Sequence, residues 1–198
     1  MEFSLDLLGG RGKKGAFRYA PLIGPDILSG ILARAAGKPV LEFAQENLFH
    51  PLGIQVENNL SFKNKEEQMA FNQSVDISGW VTDAAGTHAA GWGLTLTAMD
   101  MAKIGQLYLN GGIWEDRQII SAEWIAESTA EHSRWKKRNL PYGYLWWVTE
   151  DGYAAMGDGG NVIYANTKKK LAVSMAALFA PRARDRIGLI QKYIEPVL

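Results

Sequence analysis

Residues 142–177 constrain the fold most strongly, because they carry the pattern of an antiparallel sheet. Residues 142–148, Tyr-Gly-Tyr-Leu-Trp-Trp-Val, are rich in the aromatic and β-branched side chains that strands favour. Residues 161–165 and 171–177 have the same character, and the polar segment 166–170 between them is typical of a hairpin tip. We therefore predict three consecutive strands that form a meander.

The last of these strands alternates in side-chain size. Its larger residues, including Val173 and Met175, fall on one face, whereas the small residues Ala172 and Ser174 fall on the other. A face of small residues allows a helix to lie close to the sheet. The apolar residues of segment 183–193 recur at helical spacing, so we expect this segment to be that helix.

Helical patterns dominate the chain before this sheet. We predict helices over about 25–36, 40–49 and 98–110, the last with Thr97 as N-cap and Asp100 three residues later. Ser121 begins a further short helix in the same way. Residues 55–85 are polar and lack a periodic pattern, so a long loop is expected there.

The order of helices, then a meander, then a terminal helix defines the fold class as α+β. We expect one partial domain over residues 1–198. Within it, residues 1–16 form a flexible glycine-rich lead, residues 17–140 a mainly helical part, and residues 141–198 the strands and the C-terminal helix.

The composition excludes several classes of function. Lys+Arg and Asp+Glu both number 21, so the basic surface of a nucleic-acid-binding protein is absent. The chain has no cysteine, and its three histidines are far apart, so we expect neither a metal nor another cofactor. No apolar run is long enough to span a membrane. These features leave the cellular compartment undetermined.

Four segments together resemble the serine β-lactamase and penicillin-binding-protein family, in its class C and esterase-like branch. They are Phe-Arg-Tyr at 17–19 with the helix at 28–37, Leu-Phe-His-Pro-Leu-Gly-Ile at 48–54, the helix with its flanking glycines at 91–112, and Tyr-Gly-Tyr-Leu-Trp-Trp at 142–147 with Gly-Asp-Gly-Gly at 157–160. The resemblance implies a β-lactamase/transpeptidase-like fold, present in part. It also implies hydrolysis of an amide or ester through an acyl-enzyme.

The nucleophile motif of this family is missing. The motif, Ser-x-x-Lys, supplies the attacking serine and a lysine that helps to deprotonate it. None of residues 1–18 forms it, and the literal match at Ser133–Lys136 lies in a charged segment of loop character, which we interpret as chance. We therefore expect a C-terminal portion of a hydrolase, without the N-terminal helix and first strands and inactive alone.

The family's second motif, Tyr-x-Asn, provides a proton shuttle in the class C branch. Tyr19 matches its tyrosine and is the candidate catalytic residue, although Pro21 stands where the asparagine is usual. A literal Tyr-x-Asn at Tyr108–Asn110 ends a predicted helix, where we expect it to pack structurally.

The third motif resembles the glycine-rich version found in looser members of the family, without its cationic residue. Gly157, Asp158, Gly159 and Gly160 are the candidate oxyanion region, since their backbone N–H groups are available for a negatively charged oxygen. A tight turn is the simpler local interpretation. Trp92 resembles an aromatic residue that lines the cleft, with core packing as an equal alternative.

Alternative functions remain open. The complete protein would act on a small-molecule amide or ester, whereas a non-catalytic binding or scaffold module would hold a peptide or glycan in an aromatic cleft around Trp92, Trp146 and Trp147. An unorthodox hydrolase would use Ser133. Because missing strands leave a sheet edge unprotected, we also predict self-association or pairing with the missing N-terminal part.

Overall fold

The computed structural model of the chain describes Tyr19, residues 23–178 and residues 184–197. These residues form two compact units. Unit 1 covers Met1–Gln68 and Asp76–Thr95, and unit 2 covers Met69–Val75 and Leu96–Leu198. The lead predicted over 1–16 lies outside the described residues, and the expectation of one domain stays a prediction. Within the described ranges, no helix is both long enough and apolar enough to cross a membrane.

Unit 1 begins with two helical segments that match the predicted ones. Helix α1 spans Ile23–Ala36, and Gly37 follows it with a φ of 67°. Helix α2 spans Val40–Ala44 and continues through a π-helical turn at Gln45–Phe49 and a 3-10 turn at His50–Leu52. Two short parallel strands, β1 (Asn59–Leu60) and β2 (Trp80–Val81), complete this unit. Its buried apolar residues are Val40, Leu41, Phe49, Leu52, Ile54, Val56, Trp80 and Val81.

The expectation of a continuous loop over 55–85 is wrong, because helix α3 spans Lys65–Gln73. The start of this helix is capped by side chains: the Asn64 side-chain oxygen accepts the Glu67 N–H at 2.9 Å, and the Glu67 carboxylate accepts the Lys63 N–H at 2.8 Å. None of its residues is buried. It therefore has no apolar stripe from which periodicity could have revealed it.

After residues 69–75, unit 2 continues with the helix that the capping signal predicted. Helix α4 spans Ala98–Leu109, and Thr97 and Asp100 form a complete capping box in which each side chain accepts the other's N–H at 3.1 Å. A hairpin of β3 (Ile113–Trp114) and β4 (Arg117–Gln118) follows it. Helix α5 spans Ala122–Thr129, and the side chain of its N-cap, Ser121, accepts the N–H of Trp124.

The described part of unit 2 contains a six-stranded antiparallel meander in which each strand pairs with the next. Its strands are β5 (Ser133–Trp135), β6 (Leu140–Tyr142), β7 (Trp147–Thr149), β8 (Gly152–Met156), β9 (Val162–Asn166) and β10 (Leu171–Met175). The predicted meander is confirmed, but it is longer than expected because the loop-like segment after α5 forms the hairpin β5–β6. The single strand predicted over 142–148 is wrong. The chain reverses there, with Leu145 at a φ of 65°.

Different helices cover the two faces of this sheet. Helix α4 lies on the face of small residues, where a Cβ added to Gly105 would come within 3.3 Å of the Ala172 Cβ. The terminal segment begins with helix α6 (Arg186–Leu189) and continues through Ile190–Ile194 and Glu195–Val197. It packs its isoleucines on the opposite face, against Val173 and Met175. The prediction that the terminal helix covers the small residues is therefore wrong, since α4, with Gly105 at the contact, occupies that face.

A buried polar cluster fixes the terminal segment to the sheet. Glu195 is only 9% exposed, and its Oε1 accepts hydrogen bonds from the Tyr164 hydroxyl at 2.8 Å and from Asn166 Nδ2 at 2.9 Å. Lys169 Nζ lies 3.0 Å from Oε2. Burial opposes the charged form of Glu195, but the hydrogen bonds from Asn166, Lys169 and Tyr164 outweigh it and hold the pKa of this carboxyl below its usual value.

Candidate functional site

Two of the predicted site residues, Tyr19 and Trp92, lie in unit 1. Tyr19 is 37% exposed, which leaves part of its ring open to solvent. Trp92 is half-buried, with its ring centroid 6.1 Å from that of Phe62. Packing against Phe62 accounts for part of the Trp92 surface, and the remainder is accessible.

The loop that carries Trp92 is bound to helix α1 by two side chains. Ser29 is buried and donates its hydroxyl to the carbonyl of His88 at 2.7 Å. Asp26 accepts the N–H of Gly91 at 3.0 Å. Both bonds join residues far apart in the sequence, so this part of unit 1 is ordered by tertiary contacts.

His88 is a structural residue of this loop. Its side chain is 2% exposed, its Nε2 donates to the Asn59 side-chain oxygen at 2.9 Å, and its ring stands edge-on to Trp80 at 5.3 Å. Burial lowers the pKa of the imidazole from its usual 6.5. A neutral, enclosed imidazole of this kind holds the loop to β1 and has no access to a substrate.

The glycine-rich candidate region forms a tight turn between β8 and β9 of unit 2. The Gly157 N–H donates to the Asn161 carbonyl at 2.9 Å, and the Gly160 N–H points to the Gly157 carbonyl at 3.4 Å. Gly159 has a φ of 82°, and both it and Gly160 are buried. Asp158 begins the 3-10 turn Asp158–Gly160, and its side chain lies outside the described residues.

The glycine segment contains no cationic residue of its own, but the structure places one beside the turn. A Cβ added to Gly160 would come within 2.8 Å of Nε and 2.9 Å of Nη2 of Arg186, so the guanidinium lies against the turn. Arg186 follows Asp185, the N-cap of α6, whose side chain accepts the Gly188 N–H at 3.1 Å. In the sequence, Asp185 indicates the start of a helix at this position. Nothing in the local sequence predicts that Arg186 contacts the glycine turn.

The literal Ser-x-x-Lys match does not have the geometry of a nucleophile and its base. Ser133 belongs to strand β5, whereas Lys136 lies in the following turn. Residues three apart share a face on a helix but not on a strand. The Ser133 hydroxyl is instead directed to the Tyr142 carbonyl, at 3.4 Å.

The remaining aromatic candidates are core residues. Trp146 and Trp147 are 7% and 5% exposed. The Trp146 ring packs on Tyr108 and Tyr153, with centroids at 4.6 and 5.2 Å. The expectation that Trp146 and Trp147 line an open cleft is therefore wrong. The structural role expected of Tyr108 is confirmed.

The structure brings the glycine turn and Arg186 together within unit 2, while Tyr19 and Trp92 belong to unit 1. Among the residues described, no group of three or more His, Asp or Glu side chains could hold a metal ion. The chemistry that this arrangement supports is the binding of a negatively charged group by the Arg186 guanidinium.

Comparisons with known proteins agree with this fold. The β-lactamase family model matches residues 14–192. No curated protein sequence gives a match. A protein described as a 6-aminohexanoate-dimer hydrolase from Bacillus anthracis is similar in structure, with a TM-score of 0.64 and 21% identity over 90% of this chain and 42% of that one.

Two further solved structures show the same likeness. A penicillin-binding-protein homolog from Caulobacter crescentus has a TM-score of 0.63 and 16% identity, over 86% of this chain and 55% of that one. A family VIII carboxylesterase has a TM-score of 0.61 and 20% identity, over 88% of this chain and 56% of that one. The chain thus spans about half the length of the structures that it resembles. With a family model that matches almost its whole length, the chain belongs to the β-lactamase family.

Proposed function

We propose that this chain is the C-terminal portion of a β-lactamase-family serine hydrolase. In the complete protein, a serine would attack a small-molecule amide or ester and form an acyl-enzyme that water then hydrolyses. The chain alone would not turn over substrate. The observation that carries this proposal is a family match over residues 14–192 without a Ser-x-x-Lys motif ahead of Tyr19.

Tyr19 of unit 1 and two features of unit 2 would each have a role in the complete protein. Tyr19 would transfer the proton between the serine and the leaving group. The amide of Gly159, in a turn whose glycine conformation permits close approach, would stabilise the oxyanion. Arg186 would supply the positive charge that the glycine segment itself lacks, and a guanidinium in this position favours a substrate with a carboxylate.

The outer edge of the sheet gives this portion a place to bind the rest of the fold. Strand β10 pairs with β9, and no described strand pairs with its other side. Such an edge presents unpaired backbone donors and acceptors. We propose that the N-terminal portion adds a strand here and that, in its absence, two copies of the chain associate. Sedimentation velocity measures this directly, and a monodisperse monomer over a wide concentration range would contradict it.

The test of the proposed function is the intact mass of the purified chain after incubation with a fluorophosphonate and, separately, with a penicillin. An unmodified mass is expected with both reagents, because no Ser-x-x-Lys motif precedes Tyr19. A complete carboxylesterase of the same family, treated in parallel, should gain one adduct and so shows that the reagents are competent. A stoichiometric adduct on this chain would refute the proposal, and a Ser133→Ala variant would show whether Ser133 carries it.

A non-catalytic binding module is the second candidate function. The observation that favours it is an exposed aromatic surface at Trp124 and Tyr144 of unit 2, which are 49% and 45% exposed. These residues, and not Trp146 and Trp147, would then make contact with a partner. Binding of a peptide without acylation would support this function, whereas a lack of any binding at this surface would count against it.

A further inference from the structure

Unit 2 presents a stack of aromatic rings on its surface. The rings of Trp124 and Tyr144 lie with their centroids 5.7 Å apart and an angle of 25° between their planes. The imidazole of His132 stacks on Tyr144 at 4.1 Å and 6°. These three residues, with the neighbouring Leu145, are here called the aromatic platform. Single exposed apolar side chains are common on protein surfaces. A cluster of them indicates a contact site for a partner.

The platform is held in place by hydrogen bonds. The Tyr144 N–H donates to the Ser128 carbonyl at 2.8 Å, and its hydroxyl lies 3.4 Å from the Glu127 carboxylate. His132 Nε2 donates to the Glu127 carbonyl at 2.7 Å. Gly143 brings the chain so close to the end of α5 that an added Cβ would lie 2.3 Å from the Ser128 carbonyl oxygen. The rings are therefore ordered before any partner binds, which lowers the entropic cost of binding.

Leu145 is exposed and conformationally strained. Its φ is 65°, in the left-handed region that a bulky L-residue rarely adopts. Its side chain is 52% exposed, so burial does not compensate for this conformation. A strained residue whose apolar side chain faces solvent beside the rings is consistent with a role in contact with a partner.

The charge around the platform is negative. Glu123 and Glu127 are four residues apart and so lie on the same side of α5, a helix that contains no basic residue. Glu131 is ion-paired with Arg134, which neutralises both charges. The basic residues at 136–138 lie at the opposite end of the hairpin β5–β6, because Ser133 and Tyr142 pair at the end where the platform lies.

This combination of aromatic faces and carboxylates selects for a cation. Aromatic rings attract guanidinium and ammonium groups through their negative faces, and Arg is the more frequent partner. A carboxylate beside the ring adds a charge-assisted hydrogen bond to the same group.

We propose that the aromatic platform is a binding site for a basic peptide segment. An arginine side chain of the peptide stacks on Trp124, its arginines pair with Glu123 and Glu127, and an apolar side chain of the peptide covers Leu145. This surface is independent of the proposed hydrolase function, since none of its residues belongs to the glycine turn or to Arg186.

The test is a titration of the full chain with the acetylated and amidated peptide Arg-Leu-Arg-Leu-Arg, followed by NMR. The indole N–H signal of Trp124, assigned by its loss in Trp124→Phe, should shift on binding. A peptide with citrulline in place of each arginine keeps the shape but not the charge. It should bind about tenfold more weakly, because each cation–π contact at an exposed site contributes a few-fold in affinity. A higher salt concentration should weaken the binding of the arginine peptide and leave the binding of the citrulline peptide unchanged.

Variants assign the binding to the platform. The affinity for the arginine peptide should fall several-fold in Trp124→Ala. It should fall by a similar factor in the double variant Glu123→Gln/Glu127→Gln. Tyr193→Ala is the matched control, since Tyr193 is 59% exposed on a different element and should not matter. Circular dichroism confirms that each variant is folded. The proposal is overturned by equal affinity for the two peptides, by undetectable binding of both, or by binding that Trp124→Ala leaves unchanged.

Discussion

Arg186 and Gly160 lie so close together that a Cβ at position 160 would be 2.8 Å from the guanidinium Nε. This contact joins the glycine turn after β8 to the first residue of α6. Gly160 also has a φ of 105°, a conformation that other residues rarely adopt. The turn therefore requires glycine for its backbone conformation, and a side chain at position 160 would also displace the guanidinium.

Gly160→Ala should destabilise the protein and displace Arg186. The guanidinium is the end of a flexible side chain and can move away at low cost, so the main penalty comes from the backbone conformation, about 1–2 kcal/mol. Urea unfolding measures this cost. Gly157→Ala is the matched control, because Gly157 has a φ of −100° and an added Cβ would meet its nearest neighbour at an ordinary 3.4 Å. Equal losses in the two variants would show that the conformation of Gly160 is not the cause.

Local signals in the sequence predicted local structure well. Thr97 and Asp100 marked the start of α4 because a capping box needs only residues three apart. The hairpin tip at 166–170 was equally recognisable, since polar turn residues separate two apolar strands. The family resemblance extends these local predictions to the whole fold, because the resemblance rests on the order of several such segments along the chain.

Features that depend on distant residues could not be predicted. Arg186 and Gly160 meet only when α6 packs on the sheet, and no local pattern links them. The turn at Leu145 was hidden because strand-favouring side chains surround it. Trp124 and Trp146 are the same residue type, yet one is 49% exposed and the other 7%. Tertiary packing alone decides between them.

Glu195→Gln should destabilise the attachment of the terminal segment to the sheet. The amide oxygen can still accept the hydrogen bonds from Tyr164 and Asn166, but the ion pair with Lys169 is lost and an amide N–H₂ faces the lysine instead. A loss of about 1–3 kcal/mol in the free energy of unfolding is expected. Glu150→Gln, at an exposed carboxylate in the turn between β7 and β8, should change stability by less than about 0.5 kcal/mol.

The same carboxyl should make stability depend on acid pH. Its pKa is held below the ordinary 4.5 in the folded protein, so the stabilisation is fully present above pH 4.5 and is lost as the pH falls through the folded value. Melting temperatures between pH 3 and pH 6 test this dependence. In Glu195→Gln the melting temperature should depend less on pH over this range. An unchanged dependence in that variant would assign the acid sensitivity to other groups.

His88 should make stability depend on pH in a higher range. Burial lowers its pKa below 6.5, so the unfolded chain takes up a proton at this position before the folded chain does. Stability should therefore fall as the pH decreases from about 6.5, and His88→Phe should show a weaker dependence even if it is less stable at neutral pH. If His88→Phe keeps the full wild-type pH dependence, burial of His88 is not its cause.

Leu145→Gly should stabilise the protein, against the usual effect of glycine. The left-handed conformation costs an L-residue about 1–2 kcal/mol, whereas glycine adds about 0.5–1 kcal/mol of unfolded-state entropy, so a net gain of about 0.5 kcal/mol is expected. Leu178→Gly is a close control, because Leu178 is also 52% exposed but has no positive φ, and it should lose stability. Thermal unfolding of the two variants gives the comparison, and equal losses would show that Leu145 is not strained.

If the aromatic platform binds a basic peptide, the more stable Leu145→Gly protein should bind it more weakly, because the apolar contact is gone while the rings stay in place.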